Sequence, residues 1–284
     1  MKTAYSICCR YWPASTLESQ RVGLETIGIL ELPDDLLEFD KVDKNRTIVI
    51  QKKSSVYNSL QILRRGFSHC LNADRDDLKR ELLASCLMII RPQTLIQKEI
   101  PFFFKGFSKE VDWKSSANAL VLEGKSGRDR GAILAKLKSF LEQKPKLQSV
   151  LDLALQISDE LYTNAAYHAP LQSTPSARID RELIQLFAAF DQEQLILGCM
   201  DNHGTLDRDQ MLSHLLKAYS ANQVQPELGQ GGAGLGLKMV IDNSANFYAY
   251  CEKNSRTVVG CGLILKGLKS NLSDTKHLHI SSSF

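Results

Sequence analysis

Gly229-Gln-Gly-Gly-Ala-Gly-Leu-Gly-Leu-Lys-Met-Val-Ile-Asp-Asn243 is the stretch from which the rest of the chain can be read. Gly231, Gly232, Gly234 and Gly236 run directly into Leu235, Leu237, Met239, Val240 and Ile241, an apolar pattern that suits a helix packed on a core. Glycine weakens a helix, so several at its start need a cause. The usual cause is that main-chain N–H groups must come close to an anion, with the positive end of the helix behind them. The stretch therefore reads as a phosphate-holding loop. A P-loop would need a hydroxyl after its lysine, and Leu237-Lys238-Met239 has none. A dinucleotide fingerprint belongs after the first strand of a βαβ unit, whereas this loop lies late and is followed by what reads as a hairpin.

Two upstream stretches complete a pattern. Asp159-Glu-Leu-Tyr-Thr-Asn-Ala-Ala-Tyr-His168 closes a helix whose apolar face is Val150, Leu151, Ala154, Leu155, Ile157, Leu161 and Ala165, predicted to end near Pro170. Glu160 and Asn164 stand four apart and project from one side of it. Cys199-Met-Asp-Asn-His-Gly204 ends the second of two strands, Glu182–Phe190 and Gln194–Met200, which flank the turn Asp191-Gln-Glu193 as a hairpin.

In this order the three stretches resemble the N, G1 and G2 boxes of the GHKL superfamily, which includes gyrase-type ATPases, chaperone ATPases, histidine kinases and anti-sigma-factor serine kinases. The resemblance spans roughly residues 146–266. It implies a C-terminal GHKL-type α/β sandwich, a mixed sheet with helices on one face, that takes ATP and Mg²⁺. Asn164 would coordinate the metal between the phosphates, and Glu160 would be the general base. Asp201 would accept from the adenine amino group, with Gly204 letting the base lie close. Gly231, Gly232, Gly234, Leu235, Gly236 and Leu237 would form the phosphate side. Thr257 stands where a threonine contacts adenine, although Arg256 replaces the glycine that precedes it in the family. His168 completes an Asn-Ala-x-x-His pattern and is either structural or near the phosphates. Residues 205–229 would cover the nucleotide, as a helix from Asp207 to Tyr219 and a lid from Ser220 to Gly229. Asn246–Cys251 and Thr257–Leu265 form a second hairpin around Lys253–Arg256.

The chain has 284 residues, 43% hydrophobic and 24% charged, the composition of a globular protein with room for two modest domains. No signal-peptide pattern and no bilayer-spanning apolar run is present. Seven cysteines without a CxxC pair indicate reduced thiols and a cytoplasmic setting. The surplus of positive charge in residues 1–145, 24 basic against 18 acidic groups, is too small to argue nucleic-acid binding.

Residues 1–142 read as a small α/β layer domain, regulatory or interacting, that also resembles a degenerate receiver domain without its acceptor aspartate or acidic pair. Thr26–Leu32, Thr47–Gln51, Glu99–Phe104 and Ala119–Glu123 are its strands, with a turn at Pro33-Asp-Asp. Val56 to about Leu71, Asp76 to Ile90 and Arg128 to Leu141 are its helices, the last with Ile133, Leu134, Leu137 and Leu141 as apolar stripe. Residues 143–148 form a linker, 149–266 the nucleotide domain, and 267–284 a polar tail able to add an edge strand. Cys8-Cys9 read as ordinary half-buried thiols, His69 as a helix histidine, and His277 and His279 as one solvated strand face.

Within the superfamily the chain lacks the transducer domain of gyrase relatives and the histidine-bearing helical hairpin of a sensor kinase. It is nearest in layout to the anti-sigma-factor serine kinases. The expected activity is transfer of the ATP γ-phosphate to a serine or threonine of a partner protein, anti-sigma-antagonist-like or response-regulator-like, in a bacterial partner-switching pathway. The alternatives are a nucleotide-sensing module without catalysis, or the ATP-binding part of a two-component system. A homodimer is one assembly this layout allows.

Overall fold

The computed structural model describes residues 2–3, 27–32, 42–91, 118–169, 183–220, 233–265 and 273–283. Cys8-Cys9, the Pro33 turn, the strand Glu99–Phe104, Gly231, Gly232 and the lid from 221 onward lie outside them. The chain forms two compact units, one of residues 1–111 with 274–280, the other of 112–273 with 281–284.

In the first unit β1 (Lys2–Thr3), β2 (Gly28–Leu32), β3 (Thr47–Gln51) and β4 (His69–Asn72) lie in chain order, and β10 (His277–Ser283) follows β4. β2, β3 and β4 are parallel, while β10 runs antiparallel to β4. The run Thr-Ile-Val-Ile-Gln is buried at every position, as expected of a parallel strand covered on both faces. α1 (Val56–Arg64) is capped by Ser55, whose hydroxyl accepts from the Asn58 N–H, and α2 is Leu78–Ile90. Leu82 and Cys86 of α2 pack on Ile29, Ile48, Ile50 and Leu71.

Two expectations change here. The helix from Val56 stops at Arg64, because Gly66 takes a left-handed backbone (φ 105°) and residues 69–72 enter the sheet. Leu60, Leu63, Phe67 and Leu71 have helical spacing, but Leu71 is needed in the parallel ladder opposite Ile50. His69 is therefore a buried strand residue. His277 and His279 are likewise fully buried, not a solvated face, because their strand closes the first unit beside β4.

The second unit orders its strands β8-β9-β7-β6-β5. They are β5 (Ala119–Gly124), β6 (Ile184–Phe190), β7 (Gln194–Asp201), β8 (Asn246–Glu252) and β9 (Arg256–Ile264). The sheet is mixed, as expected: every described pairing among these five is antiparallel, and the parallel ladders lie in the first unit. Short turns join β6 to β7 and β8 to β9, which permits antiparallel pairing only. Helices α3 (Arg130–Glu142), α4 (Leu151–Thr163), α5 (Arg208–Ser220) and α6 (Ala233–Asp242) form a layer with the sheet. α3 buries Ile133, Leu137 and Leu141, as its stripe predicts. Ala119–Gly124 pairs with β6 and α3 packs on α4, so both elements lie in this unit and not in the N-terminal layer. Lys144 leads into a 3₁₀ turn, Pro145–Val150, that buries Leu147 and Val150. The opposite sheet face, with Phe187, Ile196, Met200, Tyr248 and Tyr250, is buried too. Gly198 leaves room there for the Phe187 ring, which a Cβ would meet at 2.1 Å. Among the described residues no helix is long and apolar enough to cross a membrane.

Candidate functional site

α4 presents Ala154, Ile157 and Leu161 to the interior, followed by Ala165. Glu160 and Asn164 flank that stripe, and the Asn164 Nδ2 amide donates to Glu160 Oε1 at 2.9 Å. The four-residue spacing has the consequence expected of it. That bond turns the amide oxygen of Asn164 away from Glu160, and a hard oxygen donor is what Mg²⁺ accepts.

Beyond Thr163 the helix widens into a π turn over Asn164–His168, with the Ala169 N–H bonded to the Asn164 carbonyl. Such widened turns cost helix regularity and cluster at functional sites. Here the wider turn brings Ala169 to the same side as Asn164 and Ala165, and all three line one cavity with His168. The Thr205 hydroxyl donates to the Ala169 carbonyl at 3.2 Å, which ties the end of this turn to the segment after β7.

That cavity, of about 100 Å³, is further lined by Leu161, Cys199, Asp201, Thr205, Leu206, Leu237, Thr257 and Val259. Ligand pockets commonly run to ~300–1,000 Å³, so this space suits a ring system and not a whole nucleotide. Its floor follows from register: Cys199 faces Val259 and Asp201 faces Thr257 across the β7–β9 ladder. Residues two apart share a sheet face. Cys199 and Val259 were therefore within reach of sequence reasoning, given Asp201 and Thr257, but were not singled out.

Asp201 is 5% exposed. Burial pushes its carboxyl up to about 7, opposed by backbone N–H groups of His203 and Gly204. The His203 N–H donates to Asp201 Oδ1 at 2.8 Å, an Asx turn at the strand end. Gly204 follows with φ 59°, and a Cβ there would lie 2.3 Å from the Glu252 carbonyl oxygen and 2.4 Å from the Ser255 nitrogen. Its carbonyl accepts from the Asn254 N–H at 2.9 Å. Gly204 thus locks the turn after Asp201 onto the β8–β9 turn that delivers Thr257. Thr257 is buried and also donates to Cys251 Sγ at 3.9 Å.

The described part of the glycine stretch opens α6. A Cβ at Gly236 would come within 1.7 Å of Glu160 Oε1, so the glycine gives the carboxylate its position. Gly234 faces α5, where a Cβ would meet His214 at 3.1 Å, and Leu235 is 57% exposed. Leu237 is buried and lines the cavity. Lys238 lies over the Tyr219 ring and pairs with Asp242, to which the Tyr219 hydroxyl also donates, so it is engaged with α5.

Around Glu160 the second unit adds polar support. The Arg130 guanidinium forks onto Asp159, a half-exposed pair that contributes at most about 1 kcal/mol. The Tyr162 hydroxyl donates to the Ser126 carbonyl at 2.9 Å, and burial pushes its pKa up to about 12, which keeps it neutral.

No protein-family model matches this chain, and no curated protein sequence matches it.

Proposed function

We propose that the second unit binds ATP with Mg²⁺ and passes its γ-phosphate to a serine or threonine hydroxyl of a partner protein, as anti-sigma-factor serine kinases do. The reading rests on one convergence. Asn164, Asp201 and Leu237, from the three boxes, and Thr257, from the place of the family's adenine-contacting threonine, come from four separate stretches of chain and line a single cavity. Glu160 stands beside Asn164. On this reading adenine occupies the cavity with its amino group toward Asp201. Guanine would place a carbonyl against that carboxylate and be rejected. Glu160 accepts the proton of the attacking hydroxyl while its oxygen bonds to the γ-phosphorus and ADP leaves. The Asn164 amide oxygen would hold Mg²⁺, which when bound would supply charge neutralisation for the phosphates. The first unit, with its parallel core, is read as a receiver-like regulatory layer.

Thermal unfolding of the purified protein tests nucleotide binding. Ligand at a hundred times its Kd adds about 2.7 kcal/mol of native-state stability. For a domain of this size the midpoint should rise by roughly 5–10 °C with Mg·ATP. It should stay unmoved with GTP, with ATP in excess EDTA, and in Asp201→Asn. A protein indifferent to millimolar Mg·ATP would remove the nucleotide reading.

The buried carboxyl predicts a pH dependence. Asp201 carries a folded value near 7, above its ordinary 3.8. Its burial therefore favours the folded state below pH 3.8, and that contribution is lost as pH rises through 7. Binding of adenine has the opposite sign, because an ionised carboxylate is the stronger acceptor for the amino group. Adenosine, which has no phosphate to titrate, should bind about tenfold more tightly at pH 8 than at pH 6. An affinity flat across that range would exclude ionised Asp201 as the base contact.

A further inference from the structure

β10 brings two histidines into the first unit, and each meets a carboxylate of α2. The His277 Nε2 lies 3.0 Å from Asp77 Oδ1, and the His279 Nε2 lies 3.0 Å from Glu81 Oε2. Their other ring nitrogens are also used. The backbone N–H of Asn72, the last residue of β4, donates to His277 Nδ1 at 3.2 Å. His279 Nδ1 is 3.1 Å from His69 Nδ1 and 3.3 Å from Ser85 Oγ. The Ser85 hydroxyl donates to the Glu81 carbonyl at 2.9 Å, and Arg75 holds both Asp77 and the Thr275 carbonyl. His277, His279 and Glu81 are fully buried, His69 and Lys276 nearly so.

The proton positions follow from these partners. An imidazole that accepts from an N–H must be neutral at that nitrogen, so His277 carries its proton on Nε2, directed at Asp77. Protonating it would set an Nδ1–H against the Asn72 N–H. Between His69 and His279 the two facing nitrogens can share one proton. A first added proton is accommodated when His69 switches tautomer and accepts. A second puts two N–H groups head to head across 3.1 Å. Ser85, His279 and Glu81 resemble a hydrolytic triad in type, but all three are fully buried and Ser85 spends its proton on a backbone carbonyl.

We propose that β10 is an acid-released latch, seated in the first unit while its histidines are neutral and displaced when they take up protons, which uncovers the β4 edge. The groups that face these rings are His69 from β4, Asp77, Glu81 and Ser85 at and within α2, and Arg75, which holds Asp77; the buried Lys276 immediately precedes the strand. Burial holds the His279 ring well below its ordinary range, and the neighbouring His277 lowers it further against the opposing Asp77. A depressed histidine makes the released strand the better proton binder below about pH 6.5. The seated strand therefore has its full stability above that pH and loses it as pH falls.

Hydrogen exchange on the full chain tests this, corrected for the intrinsic pH dependence of exchange. The Ile280 amide, bonded to the Ser68 carbonyl, and the Asn72 amide report the latch. Their protection should fall between about tenfold and a hundredfold per pH unit from pH 6.5 to 5, for one to two protons taken up. Amides of β7 and β9 should hold theirs. Protection that is flat in pH, or lost at the same slope in both units, overturns the latch. His279→Gln, which cannot be charged, should lower the slope by one proton, and an unchanged slope would overturn its role. If that variant does not fold, ¹⁵N spectra of the wild-type rings decide: His277 protonated on Nε2 at pH 7.5 is expected, and a proton on Nδ1 overturns the latch.

Discussion

Replacing Glu160 by glutamine is expected to lower γ-phosphate turnover from Mg·ATP by about 10²–10⁴-fold, the range that a positioned base contributes. Nucleotide affinity should change by no more than a few-fold. The separation arises because Glu160 touches Asn164 and the Gly236 backbone but does not line the cavity proposed for the base. Glutamine keeps the length and the oxygen that accepts from Asn164, yet cannot take a proton from an attacking hydroxyl. Steady-state phosphate release beside a binding isotherm measures both quantities. Unchanged turnover in the variant would dismiss Glu160 as the base. A wild-type protein that binds ATP and turns none over would instead identify the second unit as a nucleotide-sensing module.

Gly204→Ala should destabilise the second unit by about 2–4 kcal/mol and abolish stabilisation by nucleotide. An L-residue in the left-handed region costs roughly 1–2 kcal/mol. The added Cβ would also meet backbone at Glu252 and Ser255, which can move only by displacing the β8–β9 turn. Overpacking of this kind costs about 1–3 kcal/mol. Because that turn delivers Thr257, the strain passes into the cavity floor. The unfolding midpoint should drop by roughly 5–15 °C. Gly131→Ala is the matching control: it lies within α3 with open space around it, so it should be neutral or stabilising by up to about 1 kcal/mol. A Gly204→Ala protein as stable as the control would show that this close approach is not required.

The glycine count and the helical spacing of Glu160 with Asn164 were legible because both are local: one reports backbone clearance, the other which residues share a helix side. The clearance proved specific. Gly236 makes room for the Glu160 carboxylate and Gly234 faces α5, a division no spacing rule could predict. Hairpin ends were legible as well, since turn residues punctuate strands of period two. His168 could be assigned to the cavity only once the π turn was known, because the widening changes which residues face inward.

Other readings failed where distant chain supplied the partner. Residues 67–71 carry a helical pattern that the β3–β4 ladder overrides. His277 and His279 alternate in a way that fits a solvated edge equally well, and nothing within ten residues of them announces Asp77, Glu81 or His69. By itself the sequence determined the helices and hairpins of the second unit and the pairing of Glu160 with Asn164, and it nominated Asn164, Asp201, Leu237 and Thr257, which line one cavity. Tertiary structure alone decided that Asp201 and Thr257 face each other in one buried cavity, that residues 119–142 join the second unit, and that the C-terminal strand completes the first. Local patterns record which side of an element is apolar; which distant surface covers that side is set by long-range packing.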